Sequence, residues 1–156
     1  MLSFCYFCRI KKTDLSEEIK PYSGQDSKKN QVSTMFDNIA PWYDFLNHFL
    51  SLGIDIRWRK KTISALRSLQ PRTILDVATG TGDLAIEAEK QLSPDKIVGI
   101  DIANEMLEIG RQKLAKRNLS SKIELVSGDS ENIAYADNTF DAVTVAFGVR
   151  NFENLE

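Results

Sequence analysis

Glycines and aspartates recur in this chain at spacings that suit the binding of a nucleoside. Gly80 and Gly82 stand in the segment TILDVATGTGDLA, and residues without a side chain let the main chain approach a ligand closely. Asp101 follows Gly82 by nineteen residues, where a carboxylate is placed to accept hydrogen bonds from ribose hydroxyls. Asp129 lies further along, in GDSEN, and is suited either to binding the exocyclic amine of adenine or to closing its own turn.

Alternating apolar strands and amphipathic helices must position these residues. Strands are predicted near residues 74–78, 97–101, 123–127 and 141–147, and helices from Asp83 to about Leu92 and from Asn104 to about Arg117. This alternation predicts a parallel α/β sheet with helices on both faces. Because ligands bind at the carboxyl ends of parallel strands, Asp101, Asp129 and the glycine-containing loop should meet at one edge of the sheet.

The charge of the glycine-containing loop bears on which nucleoside binds. The sequence GTGDLA also fits the glycine pattern of proteins that bind NAD, whose pyrophosphate needs helix N–H groups and no competing anion. Asp83 stands at the start of the helix and Asp76 lies just upstream, so the neighbourhood is acidic. Acidic side chains suit S-adenosylmethionine, which carries a sulfonium and an amino group. The sequence therefore favours S-adenosylmethionine, and the alternatives are an NAD-linked oxidoreductase and a glycine turn without a ligand.

Several segments, from about Gln31 to the last residue, resemble one enzyme family. They are MFDNIAPWYDFLNHFLSLGIDIRWR, LDVATGTGDLA, GIDIANEML, GDSENIAYADNTFD and VAFGVRNFENLE. The family is that of the ubiquinone/menaquinone biosynthesis C-methyltransferases, and its first signature is matched by Tyr43-Asp44, Asn47, Leu50-Ser51 and Trp58. Two positions depart from that signature. Leu46 replaces a methionine and Asp55 replaces a histidine, so no histidine contact is expected there.

The resemblance implies a function and a set of site residues. The function is S-adenosylmethionine-dependent C-methylation of a polyprenyl quinol, demethylmenaquinol to menaquinol, on a class I Rossmann-like fold. Tyr43 and Asn47 are assigned to the substrate pocket, with Tyr43 as an aromatic cover over the cofactor or the quinol ring. Arg150 is assigned to stabilising the phenolate or ordering the water that removes its proton, and Asn151 to holding the ring oxygen. The cofactor residues are Asp76, Gly80, Thr81, Gly82, Asp101, Ile102, Asp129, Ser130 and Ala146.

An apolar stripe precedes the first strand, in the segment 45–52. Its spacing indicates a helix, which we expect to dock against the sheet; the resemblance offers the alternative of a lid that holds a polyprenyl tail. Trp58 is expected in the core. Basic residues follow the stripe and are expected to form a solvated helix face that is also able to meet anionic headgroups: Arg57, Arg59, Lys60 and Lys61.

The composition limits the classes of partner. With 20 basic and 22 acidic residues the formal net charge is −2, which does not favour a nucleic-acid partner. No apolar run approaches the roughly twenty residues needed to cross a bilayer, so we expect a cytoplasmic protein whose membrane contact, at the inner face, is peripheral. Cys5 and Cys8 form a Cys-x-x-Cys, but a zinc site needs two further ligands, so no metal is expected.

The chain divides into three predicted parts. Residues 1–30 form a polar tail, 31–70 a helical lid, and 71–156 a Rossmann-like domain that binds S-adenosylmethionine. Methyltransferases of the resembling class have a seven-stranded sheet, whereas about four strands are identifiable here. We therefore expect an incomplete domain whose fourth strand is left as an apolar edge, and an inactive binding fragment is a further alternative to an active enzyme.

Overall fold

A computed structural model describes residues 28–146, apart from the side chains of Lys28, Lys29 and His48. The described part begins with two helices and continues with alternating strands and helices. The elements are α1 (Lys28–Leu50), α2 (Ile54–Ser64), a short 3₁₀ helix (Arg67–Leu69), β1 (Thr73–Val77), α3 (Asp83–Leu92), β2 (Lys96–Asp101), α4 (Asn104–Lys116), β3 (Ile123–Ser127) and β4 (Ala142–Val145). The predicted helices and strands after residue 70 are thus confirmed to within two residues. α1 begins at Lys28, inside the segment that was assigned to the tail.

The four strands form one parallel sheet in the order β3-β2-β1-β4. In register, Val77 at the end of β1 lies beside Ile100 of β2 and Val145 of β4, and Asp101 lies beside Ser127 of β3. All four carboxyl ends therefore lie at the same edge. This arrangement confirms the predicted parallel α/β sheet and brings the loops after β1, β2 and β3 together.

Alternation along the strands builds two apolar clusters, because successive side chains point to opposite faces. One cluster joins Ile74, Ile97 and Ile123 of the sheet to buried side chains of α2, α3 and α4. The other contains Leu75, Val77, Val98 and Ile100, with Val126 and Phe140 packed against it. The buried apolar side chains that α2, α3 and α4 pack on the sheet belong to the first cluster.

Two glycines allow the glycine-containing loop to lie close against β2 and α4. A Cβ on Gly99 would lie 2.6 Å from Leu125 and 2.8 Å from the side chain of Thr79. A Cβ on Gly110 would lie 2.5 Å from Leu125 and 3.0 Å from the carbonyl oxygen of Thr81. A Cβ at either position would therefore displace Leu125 and crowd the loop, at Thr79 for Gly99 and at Thr81 for Gly110.

The apolar stripe of α1 does not dock against the sheet, so that prediction was wrong. Phe45, Phe49 and Leu50 are exposed. The reason is that α1 turns its other side to the protein, where Ala40 forms a cluster with Ala103 and with Met106 of α4. A helical period shows that a helix has an apolar side but not which side faces the core.

Two expectations for α2 also differ from the structure. Trp58, expected in the core, is 54% exposed. Arg59, expected on a solvated face, is largely buried and pairs with Asp55 and Asp83. The buried side of α2 is therefore formed by Asp55, Arg59 and Ile63, one turn apart. No helix within residues 28–146 is long and apolar enough to cross a membrane.

β4 lies at one end of the described sheet, next to β1. Val143 and Val145 are exposed, whereas Ala142 and Thr144 are buried towards the helices. Among the described strands, β4 is thus an edge strand with an apolar outer face, as expected from the sequence.

Candidate active site

The loop after β1 reverses the chain through three residues with left-handed backbone conformation. Ala78, Gly80 and Gly82 have φ values of 54°, 56° and 78°. This conformation is strained for residues with a Cβ and unstrained for glycine, which explains the glycines at two of these positions. The N–H of Gly80 donates to Oδ2 of Asp101 at 2.7 Å, and the N–H of Thr79 donates to the carbonyl of Ile100 at 3.0 Å. The end of β2 thus holds the loop in place.

Asp101 stands at the centre of this edge. Its Oδ1 accepts a hydrogen bond from the N–H of Ala103 at 3.0 Å, in addition to the bond that Oδ2 accepts from Gly80. Burial raises its pKa, the backbone hydrogen bonds oppose that rise, and Asp37 of α1 adds repulsion. A carboxylate has about four acceptor positions, so Asp101 keeps capacity for further donors such as ribose hydroxyls.

Asp76, in β1, lies beneath the loop and not at its surface. It is 1% exposed, and it accepts hydrogen bonds from the hydroxyls of Thr79 at 2.6 Å and Thr144 at 2.8 Å. Burial raises its pKa to about 6 against the effect of these hydroxyls, and Asp101 contributes a smaller repulsion. Asp76 therefore fastens the loop to β1 and β4 in the described structure, and its assignment to the cofactor stays a prediction.

Ion pairs connect the glycine-containing loop to the two N-terminal helices. Lys113 of α4 donates to Asp44 of α1, to Asp83 of α3 and to the hydroxyl of Thr81, at 2.6, 2.6 and 2.9 Å. The hydroxyl of Thr81 in turn donates to Asp44 at 2.7 Å. Arg59 of α2 donates to the second oxygen of Asp83 at 2.7 Å. We call Asp44, Thr81, Asp83, Lys113 and Arg59 the lid network.

The lid network changes the electrostatic argument made from the sequence. Asp83 is held between two cations, Arg59 and Lys113, so it does not present an uncompensated charge to a ligand. The expectation that Asp83 makes the helix start acidic was therefore wrong. At this edge the carboxylate of Asp101 is repelled by that of Asp37 in α1, and it repels that of Asp76 beneath the loop.

α1 is fixed across the end of β2. Asp37 accepts a hydrogen bond from the N–H of Glu105 at 3.0 Å, in the first turn of α4. Ser33 donates to the carbonyl of Ile102 at 3.2 Å, which accounts for the half-buried position of Ile102. Tyr43 is half-buried, and its ring packs edge-on against Phe36 at 5.8 Å between centroids. The helix is thus placed as a cover beside the candidate cofactor site.

The remaining predicted residues are only partly brought together. Asp129 follows β3 at the expected edge, and its Oδ1 accepts from the N–H of Glu131 at 2.9 Å, which is the turn role considered from the sequence. Ser130, Asn47 and Ala146 are half-buried. Arg150 and Asn151 lie outside the described residues, as do Cys5 and Cys8.

Sequence reasoning missed Lys113 and Asp37, and it misplaced Arg59. Lys113 lies in the last turn of α4, where lysines are common on solvent-exposed helix ends, and its partners Asp44 and Asp83 are distant in sequence. The sequence does contain one signal for Asp37. The N-cap residue of α4 is Ala103, whose side chain cannot accept a hydrogen bond, so an acceptor from another element can cap the helix, as Asp37 does.

Solved structures define the class to which this fold belongs. A putative S-adenosyl-L-methionine-dependent methyltransferase from Methanococcus maripaludis superposes with a TM-score of 0.59 at 22% identity, over 86% of this chain and 57% of that one. The [4+2]-cyclase SpnF superposes with a TM-score of 0.62 at 20% identity, over 74% of this chain and 48% of that one. The fold is that of class I S-adenosylmethionine-dependent methyltransferases, here with four described strands.

Sequence comparison narrows the class to one family. The model of the ubiE/COQ5 methyltransferase family matches residues 24–156, so the chain belongs to that family. It is 54% identical over 140 residues to demethylmenaquinone methyltransferase of Bacteroides fragilis, covering 90% of this chain and 57% of that protein. It is 47% identical over 141 residues to the enzyme of the same name from Porphyromonas gingivalis, covering 90% and 58%. The chain thus spans little more than half the length of these curated relatives, and the alternative of an NAD-linked oxidoreductase is not supported.

Replacing Asp76 by asparagine should change how stability depends on pH. Folding raises the pKa of this carboxyl from its ordinary value of 3.8 to about 6, so the unfolded chain loses the proton first and wild-type stability falls as pH rises through this window. Across this pH range the free energy of unfolding of the wild type should fall by about 3 kcal/mol, whereas that of Asp76→Asn should not. Urea unfolding at several pH values measures this difference.

Asp141 provides a control of opposite sign for that experiment. Hydrogen bonds from Thr73 and Arg72 hold the pKa of this exposed carboxyl below its ordinary value. Its contribution is present above the unfolded pKa and is lost as pH falls, so Asp141→Asn should shift the pH dependence the other way. If the difference in unfolding free energy between wild type and Asp76→Asn stays constant from acid to neutral pH, folding does not raise the pKa of Asp76.

Replacing Lys113 by methionine should loosen α1 from the rest of the protein. The substitution keeps an apolar stem of similar length but removes the cation that joins Asp44 to Asp83, which should cost about 1–3 kcal/mol of unfolding free energy. Cleavage within α1 during limited proteolysis should accelerate. Lys116→Met, at an exposed position in the same helix, is the control. Equal effects of the two substitutions would show that the lid network does not hold α1.

Proposed function

We propose that this chain carries the S-adenosylmethionine site of an enzyme that C-methylates a polyprenyl quinol, demethylmenaquinol to menaquinol, in menaquinone biosynthesis. Family membership and the relatives named demethylmenaquinone methyltransferase support the reaction. The single structural observation that carries the proposal is the position of Asp101. It lies at the carboxyl end of β2, hydrogen-bonded to the N–H of Gly80 and with acceptor capacity left over.

The residues at this edge fit S-adenosylmethionine. Gly80 and Gly82 leave the loop open to close approach, Asp101 offers a carboxylate to ribose hydroxyls, and Asp37 adds negative charge nearby. Asp129 and Ser130 follow β3 at the same edge, where an adenine amine would find an acceptor. A cofactor without phosphates and with a positive charge suits such a set better than a pyrophosphate would.

The bound cofactor supplies an electrophilic methyl group, and the protein must make the quinol ring nucleophilic. A ring carbon gains that character when the neighbouring hydroxyl loses its proton. We assign Arg150 to stabilising the resulting phenolate oxygen, directly or through an ordered water that takes the proton, and Asn151 to holding the ring oxygen. Tyr43 and Asn47, on the half-buried side of α1, are proposed to line the ring pocket.

The polyprenyl tail bears on where the enzyme works. A long hydrocarbon tail partitions into lipid, so its ring must be reached at a bilayer surface. The outward apolar side of α1, which contains Phe45, Phe49 and Leu50, is exposed and offers contact to such a tail or to the lipid around it. We therefore also propose a cytoplasmic protein that contacts the inner membrane face peripherally.

Replacing Asp101 by asparagine should weaken S-adenosylmethionine binding about ten- to a hundredfold, since charge-assisted hydrogen bonds are worth about 1.5–3 kcal/mol. Calorimetric titration with S-adenosylmethionine or S-adenosylhomocysteine measures the change. Asp141→Asn is the matched control, because Asp141 is also a carboxylate that accepts backbone N–H groups, but at the amino end of β1. Unchanged affinity in a folded Asp101→Asn variant would refute the cofactor assignment.

Methyl transfer itself is best tested in a chimera that joins this chain to the part of the Bacteroides fragilis relative beyond the matched region. We expect transfer of a labelled methyl group from S-adenosylmethionine to demethylmenaquinol. Arg150→Ala should lower kcat about a hundredfold or more, because an oxyanion loses its stabilising donor, while cofactor affinity stays within a fewfold. Arg150→Lys should recover part of the loss. Equal losses in kcat and in cofactor affinity would make Arg150 structural.

A further inference from the structure

Exposed apolar side chains are concentrated on one surface. Nine of the fourteen large apolar side chains that are exposed among the described residues lie between Trp42 and Trp58, in the second half of α1, the following turn and α2. Leu52, in the turn, is 88% exposed and Trp42 is 66% exposed. Ile56 lies on the opposite side of α2 from Ile54 and Trp58. We call the other eight the apolar surface: Trp42, Phe45, Leu46, Phe49, Leu50, Leu52, Ile54 and Trp58. A contiguous patch of this kind marks a binding surface in a protein that is otherwise folded around its own core.

The helical geometry makes the apolar surface continuous. The exposed residues of α1 recur at intervals of three and four, so they form one stripe, and the rings of Phe45 and Phe49 stack at 5.8 Å between centroids. In α2, Ile54 and Trp58 lie one turn apart on the exposed side. The inner sides of both helices are occupied by the lid network, so the apolar surface faces away from the cofactor edge.

Cations border the apolar surface. Arg57, Lys60 and Lys61 are exposed on α2. Beyond them lies an open groove of about 460 Å³, lined by Lys60, Lys61, Arg67 and Lys90 and by one acid, Glu87. We call this the basic groove.

The acids of these two helices do not offset that charge at the surface. Asp55 is buried and pairs with Arg59, Asp44 pairs with Lys113, and Asp37 accepts a hydrogen bond from the N–H of Glu105 at the start of α4. The exposed side of α2 therefore presents positive charge next to apolar side chains.

We infer that the apolar surface and the basic groove dock on an anionic lipid bilayer. The apolar side chains enter the region below the headgroups, and the cations meet lipid phosphates. Cores of protein–protein interfaces are depleted in lysine, whereas helices that lie in a bilayer interface combine Trp, Phe and Leu with Lys and Arg. Tryptophan in particular favours the interface between lipid and water. The inference deepens the proposed function, but it does not need it, because lipid binding requires neither cofactor nor quinol.

The two tryptophans of the chain, Trp42 and Trp58, both belong to the apolar surface and therefore report its environment. We expect vesicles of phosphatidylcholine with phosphatidylglycerol to shift their emission to shorter wavelengths and brominated lipid chains to quench it. Vesicles of phosphatidylcholine alone should bind more weakly. Emission that is unchanged by anionic vesicles, or that is equally open to an aqueous quencher with and without them, would overturn the inference.

Matched variants separate the two contributions. Flotation with vesicles should show that Phe49→Ala with Leu52→Ala weakens binding to both vesicle types, whereas Lys60→Gln with Lys61→Gln weakens binding to anionic vesicles by about tenfold or more and leaves neutral vesicles unaffected. Controls are Leu69→Ala and Lys116→Gln, which are exposed outside the two surfaces. Equal losses in the controls would overturn the inference. So would concentration-dependent self-association that buries both tryptophans and is not displaced by vesicles, since the occupant would then be a second copy.

Discussion

The hydrogen bond between the Asp101 carboxylate and the N–H of Gly80 is the contact on which the site depends. It ties the end of β2 to the loop after β1, and the same carboxylate accepts from Ala103 at the start of α4. One half-buried carboxylate therefore fixes the relative positions of two strand ends and a helix start. Burial raises the pKa of this carboxyl, and the backbone hydrogen bonds oppose that rise. A ligand that donates further hydrogen bonds to Asp101 would also oppose it.

Asp76 supports the same loop from below by a different means. Its partners are the hydroxyls of Thr79 and Thr144, and burial raises its pKa to about 6. The loop is thus held by two carboxylates of adjacent strands, one at the surface of the crevice and one beneath it. Gly99 leaves the space in which Thr79 reaches Asp76, which links strand packing to loop position. The position of the loop at this edge therefore depends on how closely it packs against β2, and not only on the residues that face a ligand.

The sequence predicted the sheet well because local pattern and tertiary position agree there. The β-branched residues of β2 favour a buried parallel strand. Asp101 is the last residue of that strand, so its position follows from the strand itself. The lid helices were predicted less well. Phe45 and Phe49 lie on a stripe that any amphipathic helix would bury, yet Ala40 on the other side makes the contact with α4. Which side of a helix is buried depends on partners that are distant in sequence, and periodicity does not contain that information.

The fold alone does not determine the chemistry, since a [4+2]-cyclase shares it, so the distinguishing features must lie in what is added to the sheet. Asp55 illustrates how the addition works here. It is buried, and it accepts a hydrogen bond from Ser51 at 2.7 Å as well as from Arg59. Arg59 then reaches Asp83 at the start of α3.

A neutral histidine at position 55 would carry no negative charge. The guanidinium of Arg59, which only donates hydrogen bonds, would then face one carboxylate, that of Asp83, instead of two. Asp55 therefore holds Arg59 in the position from which it pairs with Asp83 at the start of α3. Charge fastens α2 through Arg59 with Asp83, and α1 through Asp44 with Lys113. The apolar residues Phe45, Phe49 and Leu50 are left on the outside.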